Sequence, residues 1–393
     1  MHLSRRLVLT IGAVSATAIC IYIFFYFIPI YQDSKRNSFS SKSLSLKPEL
    51  QNFHESMFIA DLHADSLLWS RNLKNKYSYG HVDIPRMLEG NISLQVFSVV
   101  TKTPKGLNIY KNDSSSDNIT LLAIAQRWPP RTWRSLYERA IYQAQKLHKL
   151  QYDSLTPFYI IKYKSDLIKF IKDKNNQNNI RAGLLSLEGG HALENRLDNV
   201  EKLFNAGFRI IGFTHFFDNE LGGSAHGIHK GGITSFGIDV LKTMERLGMI
   251  VDVSHASTKL IDDLIHHSTK PIIATHTGVK QTCERSPRNL TDRQIKNISK
   301  KSGIIGVGFW PNAICTSDVS GIVNSILHLI SIVGEDYIAL GSDFDGNVHT
   351  PFDASNIQTL TQALLDENLS QIQVAKIMGD NIKHFFINNL PNN

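Results

Sequence analysis

Apolar residues fall into two regimes along the chain. Residues 7–31 form an unbroken run without a charge, preceded by Arg5-Arg6 and followed by Gln32-Asp33-Ser34-Lys35-Arg36. The run exceeds the apolar core of a signal peptide, roughly 7 to 15 residues, and reaches the roughly 20 needed to span a bilayer. No small-x-small cleavage site follows it, so the preferred reading of residues 1–31 is an uncleaved transmembrane or signal-anchor helix rather than a removed signal segment. Arg5 and Arg6 would hold the N-terminus inside, although Lys35 and Arg36 on the other flank blunt that bias. Residues 32–50, rich in Ser and Lys, are expected to be a flexible linker.

From residue 51 to 390 the pattern changes to short apolar runs alternating with amphipathic segments. The runs are 57–63, 92–100, 181–188, 209–215, 249–255, 271–276, 303–310 and 337–343. Near-continuous Ile, Val and Leu is what parallel strands buried on both faces require. Between them, Ser235 to Leu247 places Phe236, Val240, Leu241, Met244 and Leu247 on one helical face. Thr234 or Ser235 would cap that helix and Gly248 would end it. Strand and helix alternating eight times predict the α/β class and a (β/α)8 TIM barrel, whose active site lies at the C-terminal ends of the strands.

The 393 residues are ample for one large core, and 42% apolar with 20% charged residues is ordinary globular composition. A net charge of +7 with scattered lysines argues against a nucleic-acid partner. The local run at Lys162, Lys164, Lys169, Lys172 and Lys174 reads as a solvated helix face. Of three cysteines, Cys20 lies in the N-terminal run, which leaves Cys283 and Cys315 for at most one bridge.

Polar residues gather at the ends of the apolar runs: His63 and Asp65, Glu188, His215, His255, His276 and Asp343. Residues i and i+2 of a strand share a face, so His63 and Asp65 can converge on one cation. Burying this much ionisable chemistry around one barrel mouth without a metal would be costly. Among the remaining candidates, His191 reads either as a support for the ligands or as a hydrogen-bonded structural residue. His226 and His229 fall in a glycine-rich stretch, 222–232, expected to be a mobile loop with both histidines exposed. Asp252 and Ser254 flank His255 and are candidates for orienting ligands.

The motifs Asp61-Leu62-His63-Ala64-Asp65, Leu187-Glu188-Gly189-Gly190-His191, Phe213-Thr214-His215, Val253-Ser254-His255, Ala274-Thr275-His276, Pro287-Arg288-Asn289-Leu290 and Gly341-Ser342-Asp343-Phe344-Asp345-Gly346 together resemble the membrane (renal) dipeptidase family. The resemblance covers residues 58–386. It implies a zinc-dependent barrel that hydrolyses dipeptides through a metal-bridged hydroxide. It assigns His63, Asp65 and the bridging Glu188 to one Zn2+, and Glu188, His255 and His276 to a second. It makes Asp343 the proton-handling residue, His215 a contact that stabilises the carbonyl oxygen, and Arg288 the holder of the substrate carboxylate, with Arg285 a nearby competitor. It also allows a homodimer. With the N-terminal anchor, the catalytic domain is expected on the periplasmic or extracellular side of a membrane. The alternatives are an amidohydrolase acting on another small amide or lactone, and a catalytically silent membrane-bound binding protein.

Overall fold

The computed structural model describes residues 5–40, 46–152 and 157–393. Eight parallel strands close into a barrel: β1 (Ile59–Ala64), β2 (Ile92–Val100), β3 (Arg181–Glu188), β4 (Phe208–Gly212), β5 (Ile250–Asp252), β6 (Ile272–Thr277), β7 (Ile305–Val307) and β8 (Ile338–Leu340). Each pairs with the next, and β8 returns to β1 with Leu340 opposite Asp61. Every residue of these strands is buried, as their uniform apolar character requires. A further short strand, Phe158–Ile160, was not foreseen and occupies the edge of β3 ahead of β4, with Phe158 opposite Arg181. The helix Ser235–Leu247 forms as expected, with the Thr234 hydroxyl accepting from the Gly237 amide and Gly248 closing it in the left-handed region.

Four strands are shorter than their apolar runs. β4, β5, β7 and β8 stop at Gly212, Asp252, Val307 and Leu340, so His215, His255 and Asp343 stand in turns just beyond the ladder. The backbone gives the reason: His255 and Asp343 adopt φ of 62° and 61°, which no strand accommodates. Uncommon left-handed backbone at two polar residues of one barrel mouth is the kind of strain that clusters at functional sites. At the opposite end, the helix Asn381–Asn389 packs by the strand starts, where Asn381 Nδ2 donates to the Ile338 carbonyl at 2.8 Å. Its Ile382 and Phe386 join Ala60, Leu62, Val96, Leu184, Ile210 and Ile273 in one apolar cluster, leaving the C-terminal mouth open for chemistry.

The N-terminal apolar run is helical from Arg5 to Arg36, with a π-helical turn at Ile23–Phe27. Leu9–Arg36 is long and apolar enough to cross a membrane, and Leu9, Val14 and Ile19 are 65%, 64% and 58% exposed. The expected flexible linker is corrected over its described residues. The helix runs on to Arg36, and Asp33 is buried against Arg71 at 2.8 Å, which reaches Asp345 at 2.7 Å. Ser38–Phe39 then pairs in parallel with His349–Thr350. Two polar groups that must be buried together outweigh local composition as a determinant of order. The part of the linker at 41–45 lies outside the described residues.

Candidate metal centre and active site

Glu188 ends β3 and His276 lies in β6, while His63 sits near the end of β1. The turns past β1, β4, β5 and β8 add Asp65, His215, His255 and Asp343. All seven are buried at one mouth, and their ligand atoms fall into three overlapping groups: His63, Glu188 and His276; Glu188, His215 and His255; and His63, Asp65 and Asp343. Glu188 Oε1 is 2.9 Å from His255 Nε2, 3.3 Å from His276 Nε2 and 3.7 Å from His63 Nε2. Asp65 Oδ1 is 3.4 Å from His63 Nε2, and Glu188 Oε2 is 3.5 Å from His215 Nε2. The structure therefore gathers His63, His215, His255 and His276 around the Glu188 carboxylate and sets Asp65 and Asp343 beside His63.

The donor set fits divalent cations. His63 Nε2, Asp65 Oδ1 and Glu188 Oε2 are buried and make no hydrogen bond, whereas buried polar atoms ordinarily find partners. His255 Nε2 and His276 Nε2 lie 3.0 Å apart, both facing Glu188, a cluster of acceptors that a cation satisfies at once. Imidazole and carboxylate without thiolate suit zinc, manganese or cobalt. The two cysteines of the barrel are joined to each other as a disulfide and offer no thiolate.

Support for the ligands comes from one hydroxyl. Thr275 Oγ1 lies 2.7 Å from Asp252 Oδ2, 3.0 Å from His276 Nδ1 and 3.2 Å from His63 Nδ1. Its single hydrogen goes to the carboxylate, so it can only accept from both rings; each then carries its proton on Nδ1 and turns an Nε2 lone pair inward. Asp252 thus acts through Thr275, and Ser254 accepts from the His276 amide at 3.2 Å. Sequence reasoning passed over Thr275; its place directly before His276 was the available signal.

Without cations the site is electrostatically loaded. Burial, and then the neighbouring Asp65, push the Glu188 carboxyl well above its usual range. Burial also raises Asp343 to about 8, against the pull of His63. For His63 burial acts the other way but is outweighed by Glu188 and Asp65, which bring it to about 10. His215, His255 and His276 are driven well down by burial. Bound cations reverse this balance by favouring the anions.

Arg288 is buried, donates through Nη2 to the His276 carbonyl and lies with its guanidinium 5.1 Å from the Trp310 ring centre. Arg285 is exposed and stands away from the cavity wall. The loop that carries Arg288 is fixed by the Cys283–Cys315 disulfide, with Cα atoms 5.3 Å apart. Asp343 is matched by Gly346, where a Cβ would lie 2.0 Å from Asp343 Oδ1.

Two histidine expectations divide. His191 is buried, with Nε2 3.0 Å from the Thr101 hydroxyl and its ring 4.9 Å from Phe217. His226 is buried too, contrary to expectation, with Nδ1 2.6 Å from the Ile109 carbonyl and its ring 5.3 Å from that of His255. The glycine-rich loop is folded down because Asp218 accepts from the Ser224 and His229 amides, at 2.8 and 2.7 Å. His229 stays exposed. A cavity of about 1040 Å3 above the mouth is lined by Asp65, Glu188, His215, His226, His255, Arg288, Trp310 and Asp343.

Several known proteins resemble this chain in sequence or in fold. The model of the family described as membrane dipeptidase (peptidase family M19) matches residues 48–387. The chain is 28% identical over 318 residues to the dipeptidase tcpJ of Claviceps purpurea, covering 77% of this chain and 68% of that protein. It is 32% identical over 226 residues to an uncharacterized protein in the pqqA 5' region of Klebsiella pneumoniae, covering 53% of this chain and 82% of that one. Among solved structures, the probable dipeptidase PvdM of Pseudomonas aeruginosa superposes with a TM-score of 0.72 at 17% identity, covering 86% of this chain and 96% of its own. A metallo peptidase of Rhodobacter sphaeroides, liganded with a phosphinate mimic of the dipeptide L-Ala-D-Ala, superposes with a TM-score of 0.65 at 21% identity, covering 85% and 99%. With its eight-stranded barrel, its cluster of imidazoles and carboxylates and a family match across most of its length, the chain belongs to the membrane dipeptidase family, peptidase family M19.

Proposed function

We propose that the chain is a zinc metallo-dipeptidase that hydrolyses the single peptide bond of a dipeptide at the mouth of the barrel. The observation that carries this reading is the convergence of His63, His255 and His276 on one Glu188 oxygen, within 3.7 Å, beside a buried arginine and a buried aspartic acid. His63, Asp65 and Glu188 would hold one ion, and Glu188, His255 and His276 the other, with Glu188 as the bridge. When bound, the paired ions supply an acidified water as nucleophile and a positive field for the carbonyl oxygen.

This chain's own residues do the rest. Arg288, with its Nε unpartnered, offers a planar donor fork to the substrate's terminal carboxylate. Burial keeps His215 neutral, so one ring nitrogen is free to donate to the carbonyl oxygen as negative charge develops there. Asp343, which bound cations would hold as the carboxylate, accepts a proton from the attacking water and passes it to the leaving amine. The N-terminal helix would anchor the enzyme, and the Cys283–Cys315 bridge suits an oxidising side of the membrane, periplasmic or extracellular.

The test uses the full chain in detergent micelles. Chelation should abolish dipeptide hydrolysis, zinc should restore it, and metal analysis should find two ions per chain. Asp343→Asn should retain both ions yet lose about 100-fold or more in kcat, the range of general acid-base catalysis. Full activity in metal-free protein would reject the reading.

A further inference from the structure

The cavity extends beyond the barrel. Its wall includes Phe24, Ile28, Gln32 and Arg36 of the N-terminal helix, alongside Glu188, Arg288 and Asp343. A spacing of four puts these side chains in one stripe on one helix face. Phe24 and Ile28 are partly buried there, whereas Phe27 and Ile30 on other faces are 53% and 48% exposed.

Several bonds hold the stripe in place. Asp33 pairs with Arg71 in the buried network that continues to Asp345, and Arg36 Nη1 donates to Asn347 Oδ1 at 3.2 Å. Higher up, the Arg127 guanidinium covers the Tyr26 ring at 4.4 Å and donates to its hydroxyl at 2.7 Å. Arg127 follows the helix Ile119–Ala125, whose Leu121 and Leu122 line the same cavity. Leu121 is 56% exposed, an apolar side chain bare to the cleft. At about 1040 Å3 the cavity exceeds the roughly 300 to 1000 Å3 that encloses a drug-sized ligand, so the reacting end of a small dipeptide fills only part of it.

We propose that Phe24 and Ile28, with Leu121 and Leu122 of the helix packed against them, form the subsite for a large apolar side chain of the dipeptide. The N-terminal helix is then a specificity-determining wall of the active site. The proposal rests on the dipeptidase reading for its substrate, and on the cavity alone for its location. Burial of a branched aliphatic side chain against this wall lowers KM without entering the chemistry, because the contact is the same before and during reaction.

The experiment compares Leu-Leu with Ala-Ala as substrates of the metal-loaded full chain in detergent micelles. In the Phe24→Ala/Ile28→Ala variant the ratio of kcat/KM, Leu-Leu over Ala-Ala, should fall about tenfold, with the loss in KM. Ile28→Phe, which narrows the subsite without hollowing it, should lower the same ratio and serves if the double variant does not fold. Ile30→Ala, on another face, should leave the ratio at its wild-type value. The ratio is read a second time as the relative binding of phosphinate mimics of the two dipeptides. An unchanged ratio in both Phe24/Ile28 variants, or an equal loss on both substrates, overturns the subsite. Absence of hydrolysis by the wild type would instead reject the dipeptidase reading, and the two mimics would still decide the subsite.

Discussion

At the scale of single residues, the hydrogen of Thr275 governs which nitrogens face the metal centre. Because that hydrogen is given to Asp252, His63 and His276 are both fixed with Nε2 free. Thr275→Val keeps the shape and removes the acceptor, so each ring is released to its other tautomer. Zinc affinity, measured by chelator competition, should fall about 10- to 100-fold, the usual effect of deleting a partner of a ligating histidine. An affinity within twofold of wild type would show that the tautomers are set elsewhere. His191 makes a separate prediction about acid. Burial lowers its pKa to about 3, from 6.5 when unfolded. The unfolded chain therefore binds the extra proton between those values, and stability is full above pH 6.5 and declines as pH falls toward 3. At pH 5 the loss from this one ring is about 2 kcal/mol. His191→Gln should accordingly show a smaller fall in melting temperature between pH 7 and pH 5 than the wild type, and parallel curves would exclude His191 as the source.

Among the elements, what the sequence revealed and what it hid follow from how each is stabilised. The strands were legible because burial on both faces demands an uninterrupted apolar run, a pattern that half-exposed helices and loops do not share. Their ends were not, since a run such as 249–255 stays apolar through Val253 while the backbone has already left the ladder toward a left-handed His255. The candidate carboxylates and imidazoles could be read because they recur at the same end of six of the eight runs. The loop at 222–232 misled for a physical reason: glycine signals conformational freedom, but here it permits close approach. A Cβ at Gly227 would lie 2.0 Å from Asp218 Oδ1, so the same residue that suggests mobility lets one carboxylate gather the loop amides. That packing carries His226 to the edge of the metal centre. The Cys283–Cys315 bridge acts similarly on the far side, tying the segment before Arg288 to the helix Pro311–Ile314 that follows Trp310. Position, and not composition, distinguishes Arg288 from the exposed Arg285 three residues earlier.

For the whole molecule, the N-terminal helix belongs to the barrel as much as to any membrane. If residues 24–36 are committed to the cleft, the part left to cross a bilayer is residues 7–23, about 26 Å at 1.5 Å per residue. That is close to the hydrocarbon thickness of a thin bilayer, about 27 Å, and it would set the cleft at the membrane surface. The joint between the two parts is Asp33. Its carboxylate and that of Asp345 flank the fully buried guanidinium of Arg71, and Asn37 Nδ2 donates to its other oxygen at 2.9 Å. Asp33→Ala would leave Arg71 buried with half of its compensation, and breaking a buried pair from one side costs about 3 kcal/mol. For a chain of this size that corresponds to a melting temperature lower by roughly 4 °C. The same substitution frees the helix end, so limited proteolysis should cut faster between the helix and residue 48. A variant with wild-type melting and wild-type protease resistance would show that Asp33 is not what fastens the helix to the barrel, leaving the Arg36–Asn347 and Arg127–Tyr26 contacts to hold the wall that Phe24 and Ile28 supply.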